Sequence, residues 1–172
     1  ASPSPSPPAS AVRSAPRRVV LVTGGGRGIG AAISKRMATQ GDRVVINFKG
    51  DRESAEAVLE SLPGDGHCVV QCDVSDPTQV MDMVNQCVER YGRLDVVVNN
   101  AGLYEETPVL STSYEEYQRV WKETVATNLL GPANICYCAA NVMAKQEGGG
   151  AIVSVSSRGA YRGEPDALAY GA

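Results

Sequence analysis

The stretch VVLVTGGGRGIG, Val19–Gly30, decides the fold. Its first residues are an unbroken apolar run of strand length, VVLVT (Val19 to Thr23), which reads as a buried β-strand. The turn that follows carries Gly24, Gly28 and Gly30 in the spacing TGxxxGxG. From Gly28 to Gln40 the apolar residues Ile29, Ala32, Ile33 and Met37 recur at helical spacing, and Gly41 stops the helix. A glycine-rich turn between a strand and a helix lets the backbone bend sharply and approach a pyrophosphate. The free N–H groups and positive end of the helix would receive its charge. No Lys-Ser/Thr pair follows the last glycine, which disfavours a triphosphate-binding P-loop.

The same alternation continues outward from this unit. RVVIN (Arg43–Asn47) predicts a second strand, ESAEAVLESL (Glu53–Leu62) a helix, PGDG a turn and HCVVQC (His67–Cys72) a third strand. Asp76 with Pro77 opens a helix to about Tyr91. LDVVV (Leu94–Val98) is a fourth strand. Ser113–Ala126 and Leu130–Glu147 read as two helices, GGG breaks the pattern, and AIVSVS (Ala151–Ser156) is a fifth strand. Strands alternating with helices predict an α/β fold with a parallel sheet covered by helices on both faces. Right-handed crossovers would bring the carboxyl ends of the strands to one crevice, where ligands bind.

Composition sets the outer bounds. A chain of 172 residues, 43% hydrophobic and 20% charged, fits one compact domain, assigned to residues 19–172. A net charge of −3 and a pI near 5.2 give no field that would gather polyanions, so no nucleic-acid partner is expected. The longest apolar runs are far shorter than the roughly 20 residues that span a bilayer. A soluble protein without a membrane partner is expected. Cys68, Cys72, Cys87, Cys136 and Cys138 form no C-x-x-C pair and lie in apolar segments, as reduced thiols in a cytoplasmic setting would. His67, the single histidine, has no surrounding ligand set, so no metal is expected. The Ser/Pro/Ala-rich segment 1–18 carries three arginines and no acid, and reads either as a disordered tail or as the remnant of an organelle transit peptide.

Four later segments extend the reading of the glycine turn. Asp73-Val74 ends the third strand, NNAG (Asn99–Gly102) follows the fourth, Asn128 lies in TNLLG, and Ser157 and Tyr170 close VSVSSRGAYRGEPDALAYGA. Together with Thr23, Gly24, Gly28, Ile29 and Gly30 they resemble the classical short-chain dehydrogenase/reductase family over about Val19 to Ala172, among them 3-oxoacyl-carrier-protein reductases and glucose dehydrogenases. The resemblance implies a Rossmann-type doubly wound sheet. It also implies that Asp73 touches an adenine with Val74 beside it among the cofactor residues, that Asn99, Ala101 and Gly102 lie beneath the cofactor, and that Asn128 bends a helix and holds a water for proton relay. Asn128 reads equally as an N-cap for the segment starting at Leu129. Ser157 would hydrogen-bond the substrate oxygen and Tyr170 would exchange a proton with it, while Tyr161 is too close to the serine to match.

Taken together these expectations describe an oxidoreductase that interconverts a small-molecule carbonyl and alcohol by hydride transfer. A tyrosine with an ordinary pKa of about 10 needs a nearby cation for such work. The resemblance places that cation, a lysine, four residues beyond Tyr170, past Ala172. This predicts a fragment lacking its last strands, poor in catalysis and prone to self-association through an uncovered sheet edge. The family's habit of forming dimers or tetramers implies a homo-oligomer for the full-length protein. Asn47 and Lys49 stand where an acid would select NAD, and with Arg27 and Arg52 nearby the balance favours NADP; Asp51 keeps NAD open as the ribose ligand. A non-catalytic dinucleotide-binding module and a scaffold that keeps the fold for stability alone are the competing classes.

Overall fold

A computed structural model of the chain describes residues 17–172. Most of the Ser/Pro/Ala-rich segment, with its expected disorder and targeting role, lies outside the described residues. Its last two members belong to the fold: Arg17 donates to the Gly41 carbonyl and pairs with Asp65, and Arg18 grips Asp42 with two hydrogen bonds of 2.9 and 2.8 Å.

The elements alternate as the periodicity predicts. They are β1 (Val19–Val22), α1 (Gly28–Thr39), β2 (Arg43–Phe48), α2 (Arg52–Ser61), β3 (Cys68–Gln71), α3 (Pro77–Tyr91) and β4 (Val96–Asn99). They continue with α4 (Tyr114–Val125), α5 (Gly131–Met143), β5 (Ala151–Ser154) and two short helices, α6 (Gly159–Arg162) and α7 (Leu168–Gly171). The strands form one parallel sheet in the order β3-β2-β1-β4-β5. This is the doubly wound Rossmann-type arrangement. Chain order reverses between β1 and β4, so the loops that leave these two strands diverge to opposite faces and open a crevice at their carboxyl ends.

Burial follows the period of two along the strands. Val19, Leu21, Val45 and Val97 face α3 and α5, packing with Val80, Met83, Val84, Ile135 and Ala139. Val20, Val22, Val44, Ile46 and Val98 face α1 and α2, packing with Ala38 and Ala55. Because β1 is covered on both faces it has no polar position, which is why it reads as a continuous apolar run. Helix starts are set by local side chains. Asp51 accepts from the Ser54 N–H, Asp76 from those of Thr78 and Gln79, and Ser113 from that of Glu116.

Two expectations need correction. Helices α4 and α5 are not separate: a π-turn, Ala126–Leu130, joins them with right-handed helical backbone throughout, so Asn128 sits inside a helix and caps nothing. The second of these helices also stops at Met143 instead of Glu147. Gln146 turns in to exchange hydrogen bonds with both the N–H and C=O of Leu94, and that pairing ends the helix.

No helix of the described residues is long and apolar enough to cross a membrane. All five cysteines are free thiols. Burial pushes the Cys72 and Cys87 thiols up to about 12, which keeps them protonated and chemically quiet.

Candidate active site

The glycine turn is held from below by buried polar side chains. Thr23 is buried, and its hydroxyl donates to the Val98 carbonyl while accepting the N–H groups of Asn100 and Ala101. It locks β1 to the end of β4, and its side chain is spent doing so. Asn47 is likewise buried. Its Oδ1 accepts the Gly24 N–H, and its Nδ2 lies 3.0 Å from the Cys72 carbonyl and 3.4 Å from that of Val70. Asn47 stands where an acid would select NAD, as the sequence places it, but both the oxygen and the nitrogen of its side chain are engaged with backbone. Asn100, which sequence reasoning passed over within NNAG, donates to the Thr23 and Gly24 carbonyls. Its signal was present only as one of two adjacent asparagines with no means of telling which turned inward.

Three glycines are constrained on geometric grounds. Gly24 and Gly28 have φ +59° and +51°, and a β-carbon at Gly30 would fall 2.2 Å from the Gly24 carbonyl oxygen. The space beside Gly28 is open. At the start of α1 no side chain caps the helix and no acid occupies the first turn, so the leading N–H groups remain available. Arg27 stands at that N-cap, and Ile29 is 66% exposed on the first turn. Uncapped donors, a cation and an apolar side chain around an open cradle fit a dinucleotide.

At the end of β2 the charges fall as follows. Lys49 pairs with Asp73 at 2.8 Å, bringing two predicted cofactor residues together. Partial burial opposes ionisation of Asp73, but hydrogen bonds from Lys49 and Ser75 outweigh it and hold the carboxyl below its ordinary value. Arg52 lies over the Phe48 ring, 5.1 Å from its centre, and pairs with Glu56. Asp51 is committed to capping α2. Val74, expected among the cofactor residues, has its side chain in the core, and its carbonyl passes so close to Gly131 that a β-carbon there would sit 2.8 Å away.

Across the crevice, Asn99 is buried, with Nδ2 3.4 Å from the Cys136 sulfur and Oδ1 without a partner among the described residues. Ala101 backs onto Gly24. Asn128 binds the backbone of Leu103 in both directions, accepting its N–H at 2.8 Å and donating to its C=O at 2.9 Å. Gly102 lies directly against the same amide. Ser157 Oγ accepts the Gly159 N–H at 3.2 Å. Tyr170, on α7, meets Tyr104 edge to face with ring centres 5.0 Å apart. Tyr104 carried no motif and was missed by sequence reasoning. Tyr161, the competing tyrosine, is 92% exposed.

His67 is used by structure, its Nδ1 accepting the Val44 N–H and its Nε2 facing the Pro63 carbonyl. Among the described residues no three potential ligands gather around a metal position. Clefts of about 360 Å³ between β3 and α3 and about 480 Å³ between α3 and α5 are lined by none of the predicted site residues.

A parallel sheet with a glycine turn at the crevice, and a serine and tyrosine beyond its last strand, define a dinucleotide-binding oxidoreductase class. Comparison with known proteins gives the family. Residues 18–172 match the short chain dehydrogenase family, and the chain belongs to it. It is 40% identical over 90% of its length to an uncharacterized oxidoreductase of Thermotoga maritima, and 36% identical over 87% to a 3-oxoacyl-(acyl-carrier-protein) reductase of Staphylococcus aureus. It spans 59% and 60% of those two relatives. Among solved structures, a short chain dehydrogenase from Burkholderia cenocepacia in complex with NADP is similar with a TM-score of 0.78 and 33% identity, over 90% of this chain and 60% of that one.

Proposed function

We propose that this chain forms the cofactor-binding and catalytic part of an NADP(H)-dependent oxidoreductase that interconverts a carbonyl and an alcohol. The observation that carries the reading is convergence. The uncapped start of α1, the NNAG turn after β4 and the Ser157 segment after β5 all lie at the carboxyl side of one parallel sheet, around its switch point.

The chain's own residues divide the work. The leading N–H groups of α1 receive the pyrophosphate, with Arg27 beside them. Arg27, Lys49 and Arg52 favour a 2′-phosphate. The carboxylate that would select NAD is not at the β2 end, where Asn47 turns inward instead. The NADP held by the Burkholderia cenocepacia relative supports the same preference. Lys49, the exposed member of the pair, would turn from Asp73 to phosphate, while Ser75 keeps its hydrogen bonds to the carboxylate. The nicotinamide, when bound, supplies or accepts the hydride. Ser157 accepts from Gly159, which leaves its own O–H free to donate to the substrate oxygen. Tyr170 delivers the proton to that oxygen in reduction and removes it in oxidation. The Asn128 amide is spent on Leu103, so its contribution to a proton relay falls to the backbone of the π-turn.

The test is NADPH oxidation by the full-length protein with a panel of ketones and aldehydes, beside Tyr170→Phe and Ser157→Ala. Loss of about 10²–10⁴-fold in turnover with NADPH binding retained is expected of both variants. Full activity in either variant, or no carbonyl reduction by the parent, contradicts the assignment.

A further inference from the structure

Resting on the reading of Tyr170 as the catalytic acid, the surroundings of that residue speak to the substrate. The loop after β4 places Tyr104 against Tyr170, the two rings meeting edge to face at 5.0 Å, and about half of the Tyr104 side chain remains exposed. The same loop is tied to the segment before α7 by a hydrogen bond from the Thr107 N–H to the Asp166 carbonyl, 2.6 Å. Between the helix that follows Ser157 and the helix that carries Tyr170 lies Glu164. A β-carbon at Gly159 would sit 3.0 Å from its Cγ and 3.1 Å from its Oε1, and one at Gly171 would sit 3.5 Å from its backbone nitrogen. Glycine at 159 leaves room for the carboxylate, and glycine at 171 lets α7 close against the Glu164 backbone.

This carboxylate is poorly compensated. Its side chain is 14% exposed, and its ion pair with Arg158 spans 3.9 Å, beyond hydrogen-bond range, with Arg158 itself mostly in solvent. Glu106 lies on the other side, 3.4 Å from the Tyr104 hydroxyl. The Tyr104 hydroxyl registers the local field: desolvation first, then Glu106, Glu164 and Asp166, push its proton loss upward.

We propose that the Tyr104–Tyr170 ring pair and the Glu164 carboxylate form a cation-accepting wall of the substrate site, selecting carbonyl compounds that carry an ammonium or similar cationic group over anionic ones. Aromatic faces attract cations through their quadrupoles, and a largely sheltered carboxylate adds a charge that solvent only partly screens. An anionic substrate would meet the same carboxylate as repulsion.

The test uses the full-length protein with NADP⁺ and two non-reacting ligands of one shape, benzyltrimethylammonium and phenylacetate, by calorimetry. The ammonium ligand is expected to bind about tenfold or more tightly than the carboxylate. Glu164→Gln should shrink that ratio to about threefold or less, and Glu164→Asp should keep most of it. Glu60→Gln, on exposed α2, serves as the charge control and should leave the ratio alone. Equal binding of the two ligands by the parent, or a ratio unmoved by Glu164→Gln, overturns the proposal. Reduction of benzaldehydes bearing trimethylammoniomethyl or carboxymethyl groups separates this from the catalytic reading. If the binding preference holds while neither aldehyde is reduced, the cation-accepting wall stands and the oxidoreductase assignment fails.

Discussion

A β-carbon at position 30 has nowhere to go, since the Gly24 carbonyl oxygen lies 2.2 Å away and belongs to backbone that Asn47 and Asn100 pin in place. Gly30→Ala should therefore destabilise the fold by about 1–3 kcal/mol and displace the cradle it opens. Chemical denaturation followed by an NADPH titration reads both effects. Lys49→Ala tests the cofactor preference. Loss of one charge-assisted hydrogen bond to a 2′-phosphate should weaken NADPH about tenfold and leave NADH nearly unchanged. Legibility at this scale was uneven. Glycines announce themselves where a backbone is left-handed, as at Gly24 and Gly28, or where no β-carbon fits, as at Gly30, so all three stood out. Polar side chains do not announce which way they face. The side chains of Thr23, Asn47 and Val74 serve the scaffold, which for Asn47 only its bonds to the Val70 and Cys72 carbonyls reveal.

Among elements, the clearest lesson is the α4–α5 join. Asn128 read both as a residue that bends a helix and as an N-cap; the cap is absent, because tertiary pairing with Leu103, 25 residues earlier in the chain, holds it inside a π-turn instead. Asn128→Ala removes both bonds and leaves the Leu103 groups unmatched, which should cost about 1–3 kcal/mol and loosen the loop that carries Tyr104. Thermal unfolding and hydrogen exchange at Leu103 would register it. Asp95 plays a comparable role between strands, accepting the Val19 N–H at 2.8 Å and hydrogen bonds from Arg93. Burial works to raise the proton affinity of Asp95, but the bonds from Arg93 and Val19 win and its carboxyl titrates below the usual value. A carboxylate depressed in the folded state contributes stability that is present above its unfolded pKa, about 3.9, and is lost as pH falls through the folded one. Asp95→Asn should consequently flatten the loss of stability below about pH 4, measured by urea unfolding across an acid series.

At the scale of the molecule, the alternation of strand and helix made the parallel sheet and its switch point readable from the chain alone. Each strand buried on both faces leaves an apolar run that no helix shares. The two short helices after β5 were not readable. Four residues each give no periodicity, and both depend on packing around Glu164 and Asp166. The edge of the sheet has its own consequence. Strand β5 pairs only with β4 among the described residues, and Val153 and Val155 are 52% and 41% exposed. The 172-residue chain should self-associate through this edge, and Val153→Lys should raise its monomer fraction in sedimentation velocity. The central claim is that the crevice at the carboxyl ends of β1 and β4 holds a phosphorylated nicotinamide dinucleotide. Fluorescence titration of the full-length protein with NADPH and NADH tests it most directly. Saturable binding of both, tighter for NADPH by about tenfold and abolished by Gly30→Ala, is the predicted result; failure of either dinucleotide to bind would contradict it.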